Sequence, residues 1–194
     1  MVVSTNWSRT SENWSKTSAT RKDQNRKYQE IVKEAKASKK TKQGLKASKI
    51  NKFLANNKHF AGCYAQDEIQ FLSIQSFPVC FIVNFDERSR RGSHWIALRI
   101  TRKKVEVFDP LGFNSKVWPK IPFHLLLFLK TLSYHRKIIF NRQIQSVKSS
   151  LCGYFCLYFI MARNRFSFQT ICSSFSSDLL KNDSILIYLL RSIQ

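Results

Sequence analysis

Large apolar residues are sparse over residues 1–50 and dense afterwards, where they fall into runs of different period. Pro78 to Phe85, Trp95 to Thr101 and Val105 to Phe108 are short runs rich in β-branched and aromatic residues, which predicts three strands. The charged stretch Asp86 to Gly92 separates the first two. Arg102-Lys103-Lys104 is a tight turn between the second and third, so the three should form an antiparallel meander. Phe123 to Leu132 follows Pro122 and reads as a helix, and Lys137 to Phe140 reads as a further short strand. Residues 152–163 are apolar around the full helical turn, which predicts a helix buried in the middle of a domain. Asp178 to Leu190 predicts a terminal helix, with Leu179, Leu180, Ile185, Leu186, Leu189 and Leu190 as its apolar contacts. Few strands and several helices, not in strict alternation, predict an α+β fold: a small, mostly antiparallel sheet packed on a buried central helix.

The first fifty residues are polar, basic and weakly repetitive. Asn6-Trp7-Ser8-Arg9-Thr10-Ser11 returns as Asn13-Trp14-Ser15-Lys16-Thr17-Ser18, and Lys36-Ala37-Ser38-Lys39 returns as Lys46-Ala47-Ser48-Lys49. Such composition buries too little apolar surface to offset chain ordering, so residues 1–50 are expected to be a basic, disordered tail and residues 51–194 the folded domain. Within the tail, Tyr28, Ile31, Val32 and Ala35 fall at helical spacing and predict a short helix over Tyr28 to Ala37. Ile50 to Leu54 should close a short helix, Phe60 to Tyr64 should be a loop, and Asp67 to Leu72 a second short helix.

Charge changes the picture. The formal net charge is +21; residues 1–60 carry 15 Lys/Arg against 4 Asp/Glu, and residues 61–194 carry 18 against 8. This balance favours a polyanionic partner, most simply nucleic acid, because each neutralised phosphate releases counterions. A nuclear import signal or a solubilising segment is equally compatible with the basic tail. Five cysteines without a Cys-x2-Cys pair disfavour a disulfide framework and a zinc ribbon. The N-terminus lacks the apolar core of a signal peptide, and no apolar run approaches a bilayer's span. A soluble intracellular protein with reduced thiols is expected.

Candidate chemistry centres on Cys152-Gly153, at the head of the apolar helix. A thiol there sits at the positive end of the helix dipole, which favours the thiolate, the form that reacts. Gly153 leaves room for a substrate backbone. His94, at the mouth of the second strand, is a candidate base, and Asp109 ends the third strand. If the meander pairs through residues 102–104, Asp109 comes close to His94, where a carboxylate would fix the imidazole's tautomer and stabilise its cation. Gln145 suits an oxyanion donor, together with the Cys152 amide, and Gln143 is its rival. A zinc site from Cys152, Cys156, Cys172 and His94 fits poorly, because Cys152 and Cys156 lie on one continuous helix.

Taken together, Gly92-Ser93-His94-Trp95-Ile96-Ala97, Val107-Phe108-Asp109-Pro110-Leu111-Gly112-Phe113, Gln145-Ser146-Val147 and Leu151-Cys152-Gly153-Tyr154-Phe155-Cys156 resemble the adenovirus maturation protease family, including proteases of adenovirus-like and Maverick/Polinton elements. The resemblance spans roughly residues 53–175. It implies a papain-like cysteine protease fold with permuted catalytic order, a triad of His94, Asp109 and Cys152, and Gln145 in the oxyanion hole. It also implies cleavage of virion precursor polypeptides, no cofactor for the chemistry, DNA as an activating polyanion, and action in the virion and host nucleus. Asp109 stands where that family has Glu, a feature shared with proteases that remove ubiquitin-like modifiers. His135 to Ile139 lacks the Cys to which the family's peptide activator is linked. An isopeptidase for such modifiers and an inactive, nucleic-acid-binding virion protein are the rival readings.

Overall fold

The computed structural model describes residues 8–112 and 121–192, with residues 8–21 as backbone only. Residues 1–7, which hold the Asn-Trp-Ser triplet at Asn6, and Phe113 of the Asp109 motif lie outside the described residues. The elements run α1 (Ser8–Thr41), α2 (Ala47–Leu54), β1 (Phe60–Ala65), a 3-10 turn (Ile69–Phe71), β2 (Val79–Asn84), β3 (Trp95–Ile100), β4 (Lys104–Phe108), α3 (Phe123–Ser133), β5 (Lys137–Phe140), α4 (Cys152–Ala162), α5 (Phe168–Ser173) and α6 (Asn182–Ser192).

The fold is α+β, and its five strands form one sheet in the order β1-β2-β3-β4-β5. The expected meander is β2-β3-β4, with Ala97 opposite Phe108 and Ile100 opposite Val105. Both outer pairings are parallel, β1 on β2 and β5 on β4, so the sheet is mixed rather than mostly antiparallel. The segment expected to be a loop, Phe60 to Tyr64, is the strand β1. Its residues show no β-branched alternation, and it is a strand because its backbone pairs with the exposed edge of β2. β5 reaches the opposite edge by the crossover through α3, as parallel pairing requires.

The strands alternate their side chains between two cores, as the two-residue period demands. Phe81, Val83, Ile96, Leu98, Val105 and Val107 face α3, packing on Leu125, Leu129 and Leu132. Cys80, Ile82, Ala97 and Phe108 face α4. All eleven residues of α4 except Met161 are buried, because α4 lies between the sheet and the helices α2 and α6. Phe108 stacks on Phe159 with centroids 4.5 Å apart. Where the sheet would bury a lone charge, it is matched. Glu106 is fully buried, accepts two hydrogen bonds from Arg163 at 2.7 and 2.9 Å, and meets Lys104 at 3.0 Å. That pairing ties β4 to the end of α4.

Residues 1–50 require a correction. The expected helix over Tyr28 to Ala37 is part of the much longer α1, and the expected domain boundary near residue 51 falls inside α2. Ile31, Val32, Ala35, Leu45 and Ile50 are buried in the same core as α4. Composition misses this because the apolar stripe of α1 is narrow. The stripe suffices where α4 and α6 supply the facing apolar surface. Polar contacts fasten it: Lys52 to Glu30 at 2.7 Å, Lys49 to Glu34, Lys39 to Ser184 at 3.1 Å, and Ser38 Oγ to Tyr154 Oη at 3.0 Å. The helix α5 was not foreseen. Ser167 caps it by accepting from the Thr170 amide at 3.0 Å.

Candidate active site

Strand register brings together the groups that sequence reasoning singled out. His94 precedes β3 and Asp109 follows β4, so antiparallel pairing sets them side by side, fifteen residues apart in the chain. The His94 Nε2 atom donates to Asp109 Oδ1 at 2.6 Å, with both side chains buried. The Cys152 thiol lies close enough to the imidazole to be among the groups that raise its pKa. The ring is further confined by Phe85, whose edge meets it at 90° with centroids 4.9 Å apart. Burial pulls the imidazole's pKa down, but the hydrogen bonds to Asp109 and Cys152 and the attraction of their negative charges outweigh it, raising His94 from 6.5 to about 9.

Asp109 is fixed through its Oδ1 and its backbone, while its Oδ2 is buried without a hydrogen-bond partner among the described residues. Its Oδ1 also accepts from the Leu111 amide at 2.9 Å, and its amide donates to Asn141 Oδ1 at 2.7 Å. Asn141 Nδ2 returns a bond to the Asp109 carbonyl at 2.6 Å, so one buried side chain imitates a strand partner where β4 and β5 end. Asn141 was not foreseen; its only signal is a polar residue directly after the apolar run 138–140. The turn after Asp109 closes through the Gly112 amide on the Asp109 carbonyl at 2.9 Å. Gly112 has φ +72°, and a Cβ there would lie 2.8 Å from the Gln143 amide nitrogen, so the turn admits only glycine without strain.

The same turn positions the glutamines. Pro110 O accepts from the Ile144 and Gln145 amides at 2.9 and 2.7 Å. Gln145 is buried and its Nε2 donates to the Ser149 carbonyl at 2.9 Å, which uses one of its two hydrogens. Its Oε1 is buried without a protein partner among the described residues. Gln143 is only half-buried, and its Nε2 is engaged by the Gln145 carbonyl at 3.1 Å. Of the two, Gln145 is the one sealed against the segment that leads to Cys152.

Cys152 opens α4, whose first amides have no acceptor within the helix. It lines a cleft of about 730 Å³ together with residues 41–47, Cys63 to Ala65, Asn84, part of the loop 86–93 and Trp95. Burial pushes the other thiols up, Cys63 and Cys80 to about 12, Cys172 to about 11 and Cys156 well above its ordinary value, so they stay protonated at neutral pH. The room at Gly153 is not left for a substrate: a Cβ there would lie 2.9 Å from Leu45 Cβ and 3.3 Å from Trp95 Cδ1. Leu45 belongs to the α1–α2 connector, and its carbonyl accepts from Trp95 Nε1 at 2.8 Å. A segment read as tail therefore forms one wall of the cleft.

A thiol at a helix N-terminus, an imidazole beside it, and a carboxylate behind the imidazole form an arrangement able to generate a thiolate and then pass a proton onward. The family described as adenovirus endoprotease matches residues 60–185. A protease of bovine adenovirus C serotype 10 is 36% identical over 116 residues, covering 55% of this chain and 55% of that protein. The chain thus spans about half the length of the curated relative it matches. Among solved structures, HopZ1a in complex with IP6 aligns over 81% of this chain and 63% of that chain, at 13% identity and a TM-score of 0.42. With the family's match covering most of the folded part and containing His94, Asp109, Gln145 and Cys152, this chain belongs to the adenovirus endoprotease family.

Proposed function

We propose that the chain is a cysteine endopeptidase acting on virion precursor polypeptides. Cys152 attacks a backbone carbonyl as thiolate, and its proton resides on His94. The oxyanion is met by the Cys152 amide and by the unused Nε2 hydrogen of Gln145. His94 then protonates the leaving amine, the C–N bond breaks, and a thioester remains. Water, deprotonated by His94, attacks the thioester carbonyl and releases the acid and the thiol. Asp109 holds the ring's tautomer throughout. The observation that carries this reading is the imidazole held between Asp109 and the thiol at the start of α4. Family membership supports the substrate class and action in virion and host nucleus, and the charge of +21 supports DNA as an activating polyanion.

The test is cleavage of capsid and core precursors by the full chain and by Cys152→Ala, with and without duplex DNA, beside a conjugate of a ubiquitin-like modifier. Loss of precursor cleavage in a folded Cys152→Ala protein is expected, with acceleration of the native chain by DNA. Undiminished cleavage by the variant removes the nucleophile assignment, and cleavage of the modifier conjugate alone makes the chain an isopeptidase.

A further inference from the structure

We infer that the cleft at Cys152 selects polypeptides carrying acidic residues beside the bond to be cut; the cutting rests on the protease reading, the selection does not. Two segments rim the cleft. The loop 86–93, which runs directly into His94, contributes Arg90 and Arg91, and the α1–α2 connector contributes Lys42 and Lys46. All four side chains are exposed. None forms an ion pair among the described residues, whereas neighbouring Arg88 is turned to Glu68 at 3.8 Å and its amide to Asp67 at 2.9 Å. Lys49 and Lys52, just beyond the connector, are likewise taken up by Glu34 and Glu30. The cleft therefore presents cations that the fold itself does not use. Arg90 and Arg91 supply planar donor forks suited to carboxylates.

An acidic polypeptide fits this rim better than a nucleic acid does. Asp86 and Glu87 line the same cleft. A chain of regularly spaced phosphates cannot avoid two carboxylates beside the cations, while a peptide can place isolated acidic side chains on the Arg and Lys positions alone. Between the charged rims the lining is apolar, with Leu45 and Trp95 locked together by the Trp95 Nε1 bond and Tyr64 nearby. That ledge suits the side chains and backbone of an extended peptide. Single exposed pairs are worth little, but four converging on one short segment act on the same ligand.

The experiment uses one fluorogenic peptide in three versions, with Glu, Gln or Lys flanking the scissile bond. Native protein should show kcat/KM falling from the Glu to the Gln to the Lys peptide by about fivefold per step at low salt, with the differences shrinking as salt rises. The folded double variant Arg90→Glu/Arg91→Glu should reverse that order, and Lys42→Glu/Lys46→Glu, on the connector, should reduce the preference independently. Equal kcat/KM for the three peptides, or an unchanged order in both variants, overturns the inference. If the Arg variant keeps the peptide order but loses retention of labelled duplex DNA, the rim is a nucleic-acid site and the inference is likewise overturned. If the native protein cuts none of the three, the protease reading fails by itself. Selection is then read from fluorescence anisotropy of the same peptides, where tightest binding of the Glu peptide upholds the inference and equal binding rejects it.

Discussion

The buried and the exposed parts of the region around Cys152 are built on opposite principles. On one side His94 and Asp109 hang from the ends of paired strands, are buried, and are held by a bond of 2.6 Å, by Asn141 and by Phe85. On the other side the α1–α2 connector and the loop 86–93 are mostly exposed and charged, and the connector touches the site chiefly through Leu45. Proton transfer demands groups fixed to a fraction of an ångström, which only register and burial can supply. Recognition of a charged, extended ligand tolerates movement, so it can be entrusted to loops. Under the proposed function, chemistry belongs to the strand side and selection to the loop side, and that division can be broken from either side.

The largest effect should come from Asp109→Asn. The isosteric amide keeps the packing but removes the charge that orients and stabilises the His94 cation, so kcat/KM should fall on the order of a thousandfold. Peptide hydrolysis by the folded variant is the measurement, and a loss below tenfold would take Asp109 out of the mechanism.

A smaller, graded effect is expected from pH. Because the folded-state pKa of His94 is raised to about 9 from 6.5, the imidazolium contributes stability that is complete below 6.5 and disappears as pH rises through about 9. The acid needed by the leaving amine is lost as pH passes about 9, so kcat/KM should decline by about tenfold per unit above that point. In Asp109→Asn the residual activity should turn down at lower pH, since the hydrogen bond and charge that raise His94 are gone. A native profile turning down near 6.5, or no shift in the variant, would contradict this.

The smallest effect belongs to the loop side. Trp95→Phe deletes the donor to the Leu45 carbonyl while keeping an aromatic ring, and should cost about 1 kcal/mol of stability by chemical denaturation. Trypsin should then cut faster after Lys42 and Lys46 on the loosened connector. Unchanged denaturation and nicking rates would show that the connector is held by something other than this bond.

How much could be read in advance differs between the two sides for the same reason. The meander β2-β3-β4 follows from alternating apolar runs and a three-residue turn, and its register carries His94 to Asp109 without further information. Cys152 is marked by the all-apolar helix it begins. Asn141 escaped because its contribution is a pair of bonds to a backbone thirty-two residues away. Leu45 escaped because it lies in a polar stretch, and nothing local says that Gly153 and Trp95 will receive it.

The amino-acid sequence by itself determined the strands of the meander, the thiol at a helix start, the order of imidazole, carboxylate and thiol along the chain, and the excess of positive charge. These are local patterns, carried by periods of two and 3.6 residues and by turn chemistry. Only the tertiary structure decided that a sparse stripe of Tyr28, Ile31, Val32 and Ala35 docks as a helix, that Phe60–Ala65 is a strand, and that both outer strands of the sheet join by parallel pairing. Each of those depends on a partner surface supplied from far along the chain, and a narrow apolar stripe or an unpaired backbone becomes structure only when that surface arrives.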